Sequence, residues 1–242
     1  MISRAESLSK NREPHRHLRC WFRGQSDSRW ELTPRLNRFG LTTEDIANTE
    51  RHMVQDLRIM SASIRNGAEK DHELYFLQQH YGMPTRLLDW TTNPLLALYF
   101  ACEPIQGDQC GKVFFLDAYE LVKSKQPDGR NFGIATSGRL EFCAWMDHIF
   151  GWVEKPNEMI SETFPIRPEH FDRPISLQQG CFTFHVPESS TIPESDPVQS
   201  FIIPSESKKA IREQLAAINI HHFSVYGDLR SLAKFLSETY GF

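Results

Sequence analysis

The run Gln78-Gln79-His80-Tyr81-Gly82-Met83-Pro84-Thr85-Arg86-Leu87-Leu88-Asp89-Trp90-Thr91-Thr92-Asn93 constrains this chain more than any other segment. Leading into it, Leu74, Phe76, Leu77 and Tyr81 share one side of a helix from about Glu69, and Gly82 stands where that helix stops. Leu87 to Trp90 is a short apolar run between Pro84 and Thr91, which predicts a strand. Asn93 and Pro94 then supply a cap and a first residue for a helix over Leu95 to Cys102. Helix, strand and helix follow without slack. Yet the run also holds amide, imidazole, phenol, guanidinium, carboxylate, indole and hydroxyl groups, a diversity that no core element needs and that marks a site.

Elsewhere the pattern mixes helices and strands. Leu18 to Arg23 reads as a strand turning at Gly24, and residues 1 to 17 read as a flexible start. Thr42 or Thr43 caps a helix carrying Ile46, Met53, Leu57, Met60 and Ile64 that is expected to end at Gly67. Lys112 to Leu116, Phe182 to Val186 and Phe201 to Pro204 read as strands. Lys208 to Ala217 and Leu229 to Tyr240 read as amphipathic helices, while residues 124 to 170 follow no clear period. A length of 242 residues, 40% of them hydrophobic, suits one core, and residues 18 to 242 are expected to form a single domain.

Charge and cysteine usage narrow the chemistry. A net charge of -4 provides no global basic field for nucleic acid or anionic lipid, so any polyanion would need a local patch. The five cysteines are odd in number and lack a Cys-x-x-Cys spacing, which predicts reduced thiols in a cytoplasmic protein. The first twenty residues lack the apolar run of a signal peptide, and no stretch approaches the roughly 18 apolar residues of a membrane span. No carboxylate pair and no His and Asp cluster has metal-binding spacing. His221-His222 lacks a suitable partner, so no metal is expected and a nuclease or metal hydrolase is disfavoured.

A second motif, Phe22-Arg23-Gly24-Gln25, precedes Trp30, Leu32, Pro34, Arg35 and Arg38. A strand-end arginine beside glycine can present its donor fork to phosphate or carboxylate, with the glycine admitting a ligand close to the backbone. The alternative is an arginine paired with a structural carboxylate. Within the long run, His80 offers an imidazole, Asp89 can orient Arg86 or a hydroxyl, and Thr91 and Thr92 precede a helix whose amides attract anions. Tyr81 and Trp90 can stack on a flat ring. A hydrogen-bonded structural role for His80 stands beside its ligand role.

Together, the Phe-Arg-Gly-Gln motif, the Trp, Leu, Pro and Arg spacing after it, and the segment from Gln79 through Thr91 resemble the FRG domain. Asn93, Pro94, Ala97, Tyr99, Phe100, Ala101 and Gln179-Gly180-Cys181-Phe182 continue the resemblance. It runs from about Phe22 towards the C-terminus. Val225-Tyr226-Gly227-Asp228-Leu229 departs from the family's Phe-Pro-Asp-Leu-like ending.

A more distant resemblance is to ADP-ribosyltransferases. The order of Phe22-Arg23-Gly24, then Asp89-Trp90-Thr91-Thr92 leading to Leu98-Tyr99-Phe100-Ala101, then Gln178-Gln179-Gly180 is similar to theirs. This implies an α+β fold of small antiparallel β-sheets around a cleft with flanking helices, and NAD as the substrate. Arg23 would hold a phosphate, Thr91 or Thr92 would brace the nicotinamide ribose, and Tyr81 or Trp90 would stack on nicotinamide. Gly180 and Cys181 stand where that family's catalytic carboxylate is expected. The nearest acids in the sequence are Asp172 and Glu188, so Asp89 or another acid must substitute.

The expected site is one nucleotide pocket. Arg23, His80, Asp89, Thr91 and Gln179 take the reacting positions, and Arg23, Gly24, Gln25, Tyr81, Thr85, Arg86, Trp90, Thr92 and Asn93 surround the ligand. The corresponding activity is ADP-ribosyl transfer to a protein or nucleic-acid acceptor, as a toxin or phage-defence effector, without membrane association. The competing expectation is a non-catalytic module that senses a nucleotide or a nucleic-acid end through Arg23, Arg35 and Arg86.

Overall fold

In a computed structural model, one seven-stranded sheet organises the described residues, which are 19–65, 70–103, 107–124, 134–136, 140–149, 162–169, 173–186, 190–194 and 197–242. Its strands are β1 (Cys20–Gln25), β2 (Leu87–Thr91), β3 (Gly111–Asp117), β4 (Ala135–Thr136), β5 (Phe164–Arg167), β6 (Gly180–Phe184) and β7 (Val198–Ile203). They lie in the order β4-β5-β6-β2-β1-β3-β7, and every neighbouring pair is antiparallel except the two-residue β4, which runs parallel to β5. The helices are α1 (Thr43–Met60), α2 (Asp71–His80), α3 (Pro94–Ala101), α4 (Ala118–Ser124), α5 (Leu140–Ile149), α6 (Arg173–Leu177), α7 (Lys208–Ala217), α8 (His222–Tyr226) and α9 (Leu229–Tyr240). The α+β class holds. The strands gather into one sheet, however, rather than separate small ones, because β1 and β2, each firmly paired on its outer side, still meet at one point.

Partner residues across a ladder share a face, so the pleat sorts the core. Trp21, Leu88, Trp90, Phe114, Leu116 and Cys181 pack together. The alternate residues Phe22, Val113 and Phe115 pack with Ala97 and Ala101 of α3, and Leu87, Phe182 and Phe184 pack with Leu74, Tyr75 and Phe76 of α2. Helix α3 comes unusually close to the sheet. A Cβ on Gly24 of β1 would lie 1.8 Å from the Ala97 carbonyl oxygen, and one on Gly111 of β3 would lie 2.1 Å from that of Ala101. Only glycine at both positions permits this approach.

The predicted capping chemistry is present. The Asn93 side chain accepts from the Leu95 amide at 3.0 Å with Pro94 next in line, and Thr42 accepts from the Asp45 amide at 3.1 Å. Helix α1 stops at Met60, short of its expected end, where the Ser61 hydroxyl turns back onto the Leu57 carbonyl. Ile64 is 85% exposed, and Gly67 lies outside the described residues, as do residues 1–18. None of the five cysteines forms a disulfide; Cys102 is buried and Cys110 half-buried. Among the described residues no helix is long and apolar enough to cross a membrane.

Candidate functional site

Strands β1 and β2 are joined by a single pairing, Phe22 with Thr91, whereas β1 pairs with β3 at six positions and β2 with β6 at five. Beyond Phe22 the two strands diverge, and the Arg23 guanidinium bridges the gap by donating from Nη1 to the Asp89 main-chain carbonyl at 2.7 Å. Its Nε is buried without a partner. The Asp89 carboxylate stands 3.8 Å from Nη1. Burial disfavours the charge on Arg23, Asp89 opposes that effect, and the nearby Arg38 adds repulsion. An anion arriving there would relieve both costs.

A cavity of about 460 Å³ opens over this junction, within the range of small-ligand sites. Phe22, Gly24, Asp89 and Thr91 line it from the strands, Gln79 and His80 from the end of α2, Phe100 and Glu103 from α3 and its exit, and Tyr226 from α8. Trp30 stands at its edge, 49% exposed, on a loop tightened by Asp27, which accepts from the Arg29 amide at 3.0 Å and binds the Arg29 guanidinium. Gln25, Ser26, Trp90 and Gln178 complete the lining.

Two carboxylates share this cavity. Asp89 receives both of its oxygens' hydrogen bonds from Gln79 Nε2, at 3.0 and 2.9 Å, and the Gln79 carbonyl in turn accepts from the Thr85 hydroxyl. Thr85 therefore acts behind the cavity rather than in it. Glu103 accepts from the Tyr99 hydroxyl at 3.0 Å and from the Tyr226 hydroxyl at 3.1 Å, with Arg212 3.5 Å away. Burial and the Glu103 charge raise both phenols above their ordinary range, so they remain donors. Glu103 escaped the sequence reading because it follows α3 in no motif; the one signal was its place directly after Ala101-Cys102.

Several expected site residues serve the fold instead. Arg86 is fully buried in the core, paired through Nη2 with Glu50 Oε2 of α1 at 2.5 Å, with its guanidinium 5.1 Å from the centre of the Trp145 ring. Its partner is Glu50 rather than Asp89, and no ligand phosphate can reach it. Trp90 is buried and its indole N–H donates to Thr183 Oγ1 at 3.0 Å, which removes it as a stacking platform. The Thr91 hydroxyl donates to the Gln178 carbonyl at 2.6 Å and accepts from the Asn93 amide at 3.0 Å, leaving no donor for a ribose. Gly24 spends its missing side chain on α3, although its backbone borders the cavity.

Tyr81 is 75% exposed, caps α2 against His80 and lies outside the cavity lining, as do Thr92 and Asn93. Gln179, in a left-handed conformation at φ 47°, hydrogen-bonds Thr92 at 3.2 Å; its neighbour Gln178 is the one that lines the cavity. Cys181 is buried opposite Trp90, and Asp172 and Glu188 lie outside the described residues. Of the expected residues, Arg23, Gly24, Gln25, His80, Asp89, Trp90 and Thr91 line the cavity. Among the described residues no three His, Cys, Asp or Glu side chains gather as a metal site.

No curated protein and no solved structure matches the chain. A family comparison matches residues 18–109, which hold both motifs, α1, α2, β1, β2 and α3, whereas Gln179-Gly180-Cys181-Phe182 lies beyond the match. The family matched over those residues is the FRG domain.

Proposed function

We propose that the cavity binds a nucleotide and that its activity is NAD-dependent ADP-ribosyl transfer. The observation that carries this reading is the meeting, in one cavity, of a part-buried arginine with an unpartnered Nε, an exposed indole and two hydrogen-bonded carboxylates. Arg23 takes a phosphate of NAD and Trp30 offers a stacking face. Asp89, held by Gln79 beside Arg23, faces the nicotinamide ribose. As the ribosyl carbon–nitrogen bond breaks, its electron pair leaves with nicotinamide, and the carboxylate stabilises the positive charge left on the sugar until an acceptor nucleophile adds.

A second reading keeps the ligand and drops the chemistry. Both cavity carboxylates are engaged by hydrogen bonds, and Arg38, with Arg35 beside it, adds positive charge near Arg23, which also suits a nucleotide or nucleic-acid sensor.

Calorimetry with NAD, run beside an assay of released nicotinamide, separates these readings. Binding with release supports transfer, and Asp89→Asn should then cut release by roughly 100-fold or more while binding persists. Binding without release supports the sensor, and no binding sinks the NAD reading. Arg23→Ala should abolish binding with the melting temperature unchanged; a collapsed variant would make Arg23 structural.

A further inference from the structure

We propose that Glu103, with Phe100, Tyr226 and Trp30, recognises a flat cationic ring, so that the cavity takes a ligand carrying phosphate at one end and a positively charged heteroaromatic ring at the other. This inference rests on the nucleotide reading above and adds the charge state of the ring.

Three observations support it. Glu103 lines the cavity with Phe100 and Tyr226, whose rings stand edge to face at 6.2 Å, and with the half-exposed Trp30. Aromatic faces and a carboxylate each attract a cation, and both do so most strongly away from bulk water. The carboxylate is held in place by two phenols rather than neutralised by proton donation, because Tyr99 and Tyr226 keep their protons in ordinary conditions. Its cationic neighbour Arg212 lies outside the cavity lining. That guanidinium sits 3.6 Å from the centre of the Tyr99 ring, and its Nη1 stands 3.5 Å from Glu103 without forming a hydrogen bond. His222, 3.8 Å from the same oxygen, is also outside the lining and is pushed by burial towards its neutral form. Glu103, although paired at its back with Arg212, therefore brings a carboxylate to the end of the cavity formed by α3 and α8, while Arg23 brings a guanidinium over β1 and β2.

The oxidised and reduced forms of NAD test this directly, since they share size and phosphates and differ in the charge of the nicotinamide ring. Calorimetry on the full chain should show oxidised NAD binding roughly tenfold or more tightly than NADH, the equivalent of one to two hydrogen bonds' worth of discrimination. In Glu103→Gln, whose amide oxygen still accepts from Tyr99, the ratio should fall to near one. Equal binding of the two forms by the wild-type chain, tighter binding of NADH, or a ratio unchanged in a folded Glu103→Gln variant overturns the inference while leaving the nucleotide reading intact. Failure of the wild-type chain to bind either form overturns both. The wild-type ratio decides the matter alone if the variant does not fold.

Discussion

Arg23 and Arg86 carry the same guanidinium and meet opposite fates. Arg86 is sealed between Glu50, Tyr75 and Trp145, where burial raises the Glu50 carboxyl and the Arg86 charge pulls it back. Arg86→Met should therefore strand Glu50 and cost about 3–5 kcal/mol in urea unfolding at neutral pH, and a loss under about 1 kcal/mol would show the pair to be dispensable. His185 is a second buried group. Thr183 accepts from Trp90 and donates to His185 Nε2 at 2.9 Å, so Nδ1–H donates to the Ser190 carbonyl at 3.1 Å and the ring is neutral. Burial pushes its pKa down to about 3 from an ordinary 6.5. The unfolded chain thus takes up a proton near pH 6.5 that the folded chain refuses. This contribution to stability is complete above pH 6.5 and erodes below it, by about 2 kcal/mol at pH 5. Unfolding titrations from pH 7 to 5 should show that slope flattened in a folded His185→Gln variant. Neither fate was legible in the sequence, since Arg23 and Arg86 both stand in motifs dense with polar groups and only the position of α1 tells them apart.

At the scale of elements, α3 is the part that sets the cavity's width, because its distance from the sheet is fixed by the two glycines beneath it. Gly24→Ala and Gly111→Ala should each destabilise the chain by about 1–3 kcal/mol through overpacking. The double variant should lose less than the sum, since one outward shift of the helix relieves both clashes. Strict additivity in thermal unfolding would show that the helix does not move as a body. The helix itself was readable: Asn93, Pro94 and the apolar run that follows announce it, as the amphipathic period from Leu229 to Tyr240 announces α9, whose bounds the structure reproduces. The purpose of Gly24 was not readable, because a glycine that admits a ligand and one that admits a helix look alike until the neighbour is known.

Across the whole molecule, the family match and the cavity do not share a boundary. Residues 18–109 contain both motifs, yet β1 takes its long ladder from β3 and β2 takes its own from β6, both beyond residue 109. Gln178 and Tyr226 reach the cavity from the same unmatched half. A fragment of residues 18–109 should therefore remain unfolded by near-ultraviolet circular dichroism, because β1 and β2 would keep one pairing between them and expose the apolar faces of both. A cooperative unfolding transition in that fragment would refute this account. The sequence by itself determined the elements around the site, because caps, helix stops and apolar periods act over a few residues, and it grouped Arg23, His80 and Asp89 with Thr91 and Gln179 in one expected site. Only the tertiary structure decided which polar residues face the cavity and which the core. Glu103 meets Tyr226, and Arg86 meets Glu50, across separations that no local pattern encodes, and burial of those contacts is settled by the packing of helices onto the sheet.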